Sequence, residues 1–220
     1  MTKTSSSQTK QTAPSSNEDG LGRKKVYDDA PGLERLVFFS DAVFAIAITL
    51  LALDIRLPVD AAELNNRQLW VELLDIWPKY LSFIISFLVI GNFWIAHHAR
   101  VGMIVRYDTN FLILNLLHLM AVAFIPFPTA VLSENGNRTA TIFYALAIIV
   151  TGLLSALMWW YASSGRRLVD AVDPGLARRT LVSILTVPAV FLLSIALAFV
   201  NPTIAKASWF LTMPAALLAR

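Results

Sequence analysis

Apolar residues fall in long blocks separated by short polar stretches. The block from Ala42 to Leu53 holds one polar residue, Thr49, and is entered through Arg35, Ser40 and Asp41. A helix from Arg35 to Arg56 rises roughly 30 Å, close to the thickness of a bilayer's hydrocarbon core. An arginine at each end can reach an interface. Further blocks run from about Trp77 to His97, Phe111 to Leu132, Ala140 to Ala162 and Leu181 to Val200. A shorter one follows from Ile204 to Leu218. The pattern predicts an all-α membrane protein with six transmembrane helices over residues 31–220.

The punctuation between blocks agrees. Pro58 stops the first helix, Pro126 and Pro128 kink or end the third, and Pro174-Gly175 breaks a polar linker from Ser163 to Arg179. Trp159, Trp160 and Tyr161 read as an interfacial belt. Residues 1–30 are another material, rich in Ser, Thr, Gln and Lys, and predict a disordered cytoplasmic tail that ends in Arg23-Lys24-Lys25. With the amino terminus inside, inner segments hold thirteen basic residues and outer segments five. That bias predicts a multi-pass protein of the cell membrane with both termini cytoplasmic.

Composition narrows the chemistry. Hydrophobic residues make up 56% of the chain and charged ones 15%, well below the quarter usual in soluble domains. The chain has no cysteine, which removes disulfides, thiolate metal sites and cysteine nucleophiles. A net charge of +3 with scattered basic residues gives no support to nucleic-acid binding. No Gly-x-Ser-x-Gly or other nucleophile–base pair points to an enzyme.

Asp41 lies too deep to face lipid cheaply, so it should meet protein or a water-filled path. If the second span descends to the same face, Asn92, Trp94, His97 and His98 arrive at the depth of Arg35 and Asp41, followed by Asp108 and Asn110. Trp94 and His98 are four apart and share a helix face. These groups predict an interhelical hydrogen-bond network, which either gates the first helix or only fixes its packing. His97 and His98 are adjacent and poorly spaced to grip one metal, and no metal site is expected. Protonation of His98 near the cytoplasmic face would tune opening, and His118 reads as a packing residue with a hydrogen-bond partner.

Ile46, Thr49, Leu50 and Leu53 recur at helical spacing and form one face. Spacing alone fits a lipid-facing or packing stripe as well as a pore. The Thr-Val-Gly-Tyr-Gly carbonyl filter of potassium channels is missing, and the only glycines in the blocks are Gly91 and Gly152. Any ion selection would fall to side chains.

Arg35, Phe39, Ser40 and Asp41, in the pattern Arg-x-x-x-Phe-Ser-Asp at the start of a membrane helix, resemble the signature of the transmembrane protein 175 family. Its members are potassium-permeable channels of endolysosomes and of prokaryotes. One copy of Phe-Ser-Asp in a chain of this length resembles the prokaryotic single-repeat form. The resemblance implies a homotetramer in the lipid bilayer whose first helices line a central pore. Bulky apolar side chains form the narrowest point of such a pore. On this motif spacing Ile46 becomes the tightest ring, with Thr49, Leu50 and Leu53 on successive layers, a permeant potassium ion and no cofactor. The alternative is a proton-coupled secondary transporter using Asp41 and His98, although the chain lacks paired Gly- or Pro-broken spans in matching halves.

Overall fold

The computed structural model describes residues 26–27, 30–57, 64–164, 168–169 and 173–212. The expected tail with Arg23-Lys24-Lys25, and residues 213–220, lie outside the described residues. Helix α1 spans Ala30–Leu50 and tightens into a 3-10 turn over Leu51–Asp54. After it come α2 (Asn66–Asp75), α3 (Trp77–Val101), α4 (Thr109–Phe124), α5 (Pro126–Asn135), α6 (Arg138–Ser163), α7 (Pro174–Val200) and α8 (Pro202–Ser208). A two-residue antiparallel pair, β1 (Val26–Tyr27) with β2 (Tyr107–Asp108), ties the approach to α1 to the turn between α3 and α4.

Among the described residues five helices are long and apolar enough to cross a membrane: Pro31–Asp54, Trp77–Val101, Thr109–Asn135, Arg138–Ser163 and Pro174–Val200. The sixth expected block is described only as far as Thr212, as the seven residues of α8 and a 3-10 turn over Trp209–Leu211. Trp209 leaves the membrane-facing side there and packs inward, 5.3 Å from the Phe191 ring and 4.9 Å from that of Tyr144.

Local chemistry explains the boundaries. Pro126 has no N–H to give to the preceding turn, so α4 stops at Phe124 and α5 starts afresh with Pro126 in its first turn. Gly136, at φ 57°, ends α5 in the left-handed conformation, and its N–H donates to the Leu132 carbonyl. Asn137 then caps α6, accepting from the Ala140 N–H at 2.9 Å.

Helix α7 begins seven residues before the expected Leu181. Asp173 accepts from the Leu176 N–H at 3.2 Å, and Pro174 fits the first turn, so Pro174-Gly175 opens the helix rather than breaking a linker. Helix α2 lies in a stretch whose mixed charge reads as loop. Asn65 accepts from the N–H groups of Arg67 and Gln68, both at 3.0 Å, while the Gln68 side chain accepts from Asn65 N–H at 2.9 Å. That is a complete capping box.

The main core gathers Phe44, Ala47 and Leu51 of α1 with residues of α3, α4, α6 and α7. A second cluster, around Leu36, Phe111, Met158 and Leu168, closes the end where α1 begins. Helices α6 and α7 meet at Gly152 and Pro188, where a Cβ on Gly152 would clash with Cγ and Cδ of the proline ring. Pro188 also leaves a gap in the hydrogen-bond ladder of α7.

Gly152→Ala should therefore lower the thermal unfolding midpoint in detergent, by an overpacking cost of about 1–3 kcal/mol. Leu153→Ala, on the exposed flank one residue along, should leave the midpoint nearly unchanged.

Candidate functional site

The motif on α1 divides between two faces. Ser40 is fully buried: its hydroxyl donates to the Leu36 carbonyl at 2.8 Å and accepts from Asn115 Nδ2 of α4 at 3.1 Å. Asp41 Oδ1 accepts from the indole N–H of Trp94 on α3 at 2.8 Å. One turn along α3, the His98 ring lies 5.8 Å from that indole. The structure thus brings Asp41, Trp94 and His98 together, with the tryptophan in the middle. Arg35 and Phe39 point the other way. Both are exposed, and among the described residues Arg35 has no hydrogen-bond partner on another helix.

Asn115 escaped the sequence reading, although an amide in an apolar block is the signal that would have found it. Arg100 escaped as well. Counted as an inner-loop cation, it is instead 4% exposed and donates through Nη2 to Ser155 Oγ of α6 at 2.6 Å. Asp108 caps α4, accepting from Phe111 N–H at 2.9 Å, and its other oxygen accepts from the Tyr161 hydroxyl. His97 turns away from His98 and into the core, stacked on His118 at 5.6 Å and set 5.5 Å from Phe44.

The remaining face of α1 is left uncovered by the other described residues. Ile46 is 58% exposed and Leu53 59%, with Thr49 and Leu50 exposed between them. Phe44, Ala47 and Leu51 on the opposite side are buried almost completely. The Thr49 hydroxyl donates to the Ile46 carbonyl at 2.9 Å. With its proton used on the backbone, the oxygen keeps its lone pairs for an outside partner.

Leu50 and Leu53 give onto a cavity of about 370 Å³ also lined by Asp54, Arg56, Lys79 and Glu134. Ser133 Oγ donates to Asp54 Oδ2 at 3.0 Å, and Lys79 Nζ donates to the Arg56 carbonyl at 3.2 Å. The apolar stripe therefore ends in a charged mouth. Its other end, at Phe39 and Arg35, also finishes on a charge.

A double-mutant cycle tests the motif geometry. Asp41→Ala with Trp94→Phe should show a coupling near 0.6 kcal/mol and at most about 1.7, the range of hydrogen bonds measured between membrane helices. Asp41→Ala with Asn115→Leu, which removes a partner of Ser40 instead, should be close to additive. Thermal unfolding of the three single and two double variants in detergent gives both numbers.

Comparison with known proteins places this arrangement. The family model described as endosomal/lysosomal potassium channel TMEM175 matches residues 35–126, from the motif arginine to the break before α5. A potassium channel of Streptomyces collinus is 38% identical over 180 residues, covering 79% of this chain and 86% of that protein. A potassium channel of Chamaesiphon minutus is 39% identical over 139 residues, 61% of this chain and 68% of the relative. The crystal structure of a lysosomal potassium-selective channel TMEM175 homolog from Chamaesiphon minutus matches with a TM-score of 0.76 at 32% identity. The match covers 86% of this chain and 99% of that one. Matched over most of its length, and carrying Arg35, Phe39, Ser40 and Asp41 on its first apolar helix, this chain is a membrane protein that belongs to the TMEM175 family, in the short form found in prokaryotes.

Proposed function

We propose that the chain is a potassium-selective channel of the cell membrane, assembled from four identical copies around the uncovered face of α1. The observation that carries this reading is that face itself. Ile46, Thr49, Leu50 and Leu53 stand outward on the motif helix, while Ser40 and Asp41 are held inward by α4 and α3. A single chain cannot enclose an axial path with one such helix, whereas four copies can. The relatives from Streptomyces collinus and Chamaesiphon minutus are both named potassium channels, which supports the choice of ion.

In this reading Ile46 sets the narrowest ring. An apolar ring offers an ion no ligand, so the ion sheds part of its water to pass. Potassium holds water less tightly than sodium and is favoured at that step. Thr49, whose hydroxyl proton is engaged by the backbone, presents oxygen lone pairs one layer away and replaces part of the lost hydration. Leu50 and Leu53 continue the apolar lining to the charged mouth. The network at Ser40, Asp41, Trp94 and His98 keeps the helix in register, with Arg35 and Phe39 at the cytoplasmic end of the path. The bias in basic residues, twelve against five once the buried Arg100 is set aside, supports a cytoplasmic amino terminus, and six crossings would return the carboxyl terminus to the same side.

Reversal potentials of purified protein in planar bilayers under potassium, sodium and proton gradients test the function. Current should follow the potassium gradient. Potassium movement at a fixed ratio to counter-moving protons would instead establish a transporter built on Asp41 and His98.

The constriction has its own test. Ile46→Ala should raise current and weaken discrimination of potassium from sodium, and Ile46→Asn should raise current further by wetting the ring. Thr49→Val should shift selectivity more than conductance. If Ile46 only packs, Ile46→Ala should cost about 2–5 kcal/mol of stability with currents unchanged.

A further inference from the structure

Helix α2 presents an apolar face that no other described residue covers. Trp70 is 67% exposed, Val71 57% and Leu74 68%, while Leu69, Glu72 and Leu73 turn toward the protein. The face does not end with α2. Trp70, Leu74, Trp77, Leu81, Ile84 and Leu88 follow one another at spacings of three and four, and every one is exposed. Ile76, between the two helices, has φ −81° and ψ 14°, which interrupts the helix, yet the large apolar residues on both sides of the break are exposed.

Length decides what this stripe meets. From Trp70 to Val101 a continuous helix would rise about 48 Å, well beyond a hydrocarbon core of about 30 Å. Helix α3 alone, at 25 residues, rises about 37 Å and already spans such a core, so α2 lies beyond it, past the break at Ile76 and Pro78. The charged mouth marks the same level, since Lys79 donates to the Arg56 carbonyl just below Trp77 in sequence. Helix α2 therefore starts where the hydrocarbon stops. Trp70 and Arg67 on this short helix, with Trp77 at the start of α3, have the make-up of a segment seated among headgroups. The indoles sit at the boundary, and the arginine stem lies along apolar surface with its guanidinium toward phosphate.

We propose that α2 is an interfacial helix, with Trp70, Val71 and Leu74 inserted at the headgroup–acyl boundary and Asp75 on its watery side. The bilayer, rather than another copy of the chain, covers this face, because the face continues the outward stripe of α3 and carries interface-type residues.

The chain has no cysteine, so single cysteines report cleanly. Spin labels at Leu74→Cys, Trp70→Cys and Asp75→Cys would be read in vesicles of phosphatidylcholine and phosphatidylglycerol at three to one, about 3:1 by weight. Collision with oxygen is compared with collision with a nickel chelate present on both sides. Positions 70 and 74 should give an oxygen-to-nickel ratio severalfold above that at 75. Equal ratios at all three positions would place α2 in water and overturn the proposal. Protection of 70 and 74 from both reagents would overturn it too, in favour of a protein contact. All three positions are exposed, so the label displaces no core contact.

Discussion

Polar groups inside a membrane helix must find their partners within the protein, and this structure is arranged around that demand. Ser40 and Asp41 are neighbours on α1, about 100° apart around its axis. One is held by Asn115 of α4 and the other by Trp94 of α3. Two bonds in two directions fix the rotation of the helix about its own axis. Once that rotation is set, the side on which Ile46, Thr49 and Leu53 stand is set as well. The polar half of the motif thus determines where the apolar half points.

Such bonds are individually modest, near 0.6 kcal/mol between membrane helices. They specify orientation, and close packing of Phe44, Ala47 and Leu51 in the core supplies the holding force. The same division recurs elsewhere. Thr129 of α5 donates to Ser86 Oγ of α3 at 2.8 Å, and Ser86 donates to the Tyr144 hydroxyl of α6 at 3.1 Å. These hydroxyls lie inside the main apolar cluster, where a slipped register would strand them without partners.

Much of this was legible in the chain. Unbroken apolar blocks located the five spans seen among the described residues, and Pro126 announced the interruption of the third, because both signals act locally. Asp41, set deep in an apolar helix, announced an interhelical partner, and the i, i+4 spacing of Trp94 and His98 put both on one side. Helix α2 was lost because mixed charge over a short run resembles a loop, although Asn65 and Gln68 carried a capping signature. Helix α7 starts early because Asp173 and Pro174 read as a turn when their order, cap and then first turn, is ignored. Arg100 and Asn115 could be assigned only once distant helices were brought together. Arg35 shows the converse: its place beside the polar groups of α3 suggested a partner helix, yet it stands on the open face.

The notch at Gly152 has a mechanical meaning. A proline ring of α7 seated in a side-chain-free spot on α6 acts like a pin in a socket. Sliding by even one residue, about 1.5 Å, would push the ring over a neighbouring side chain, whereas tilting about the pin disturbs little. Relative movement between these two helices is thereby reduced to rocking about a fixed fulcrum in the half of the molecule farthest in sequence from the motif helix.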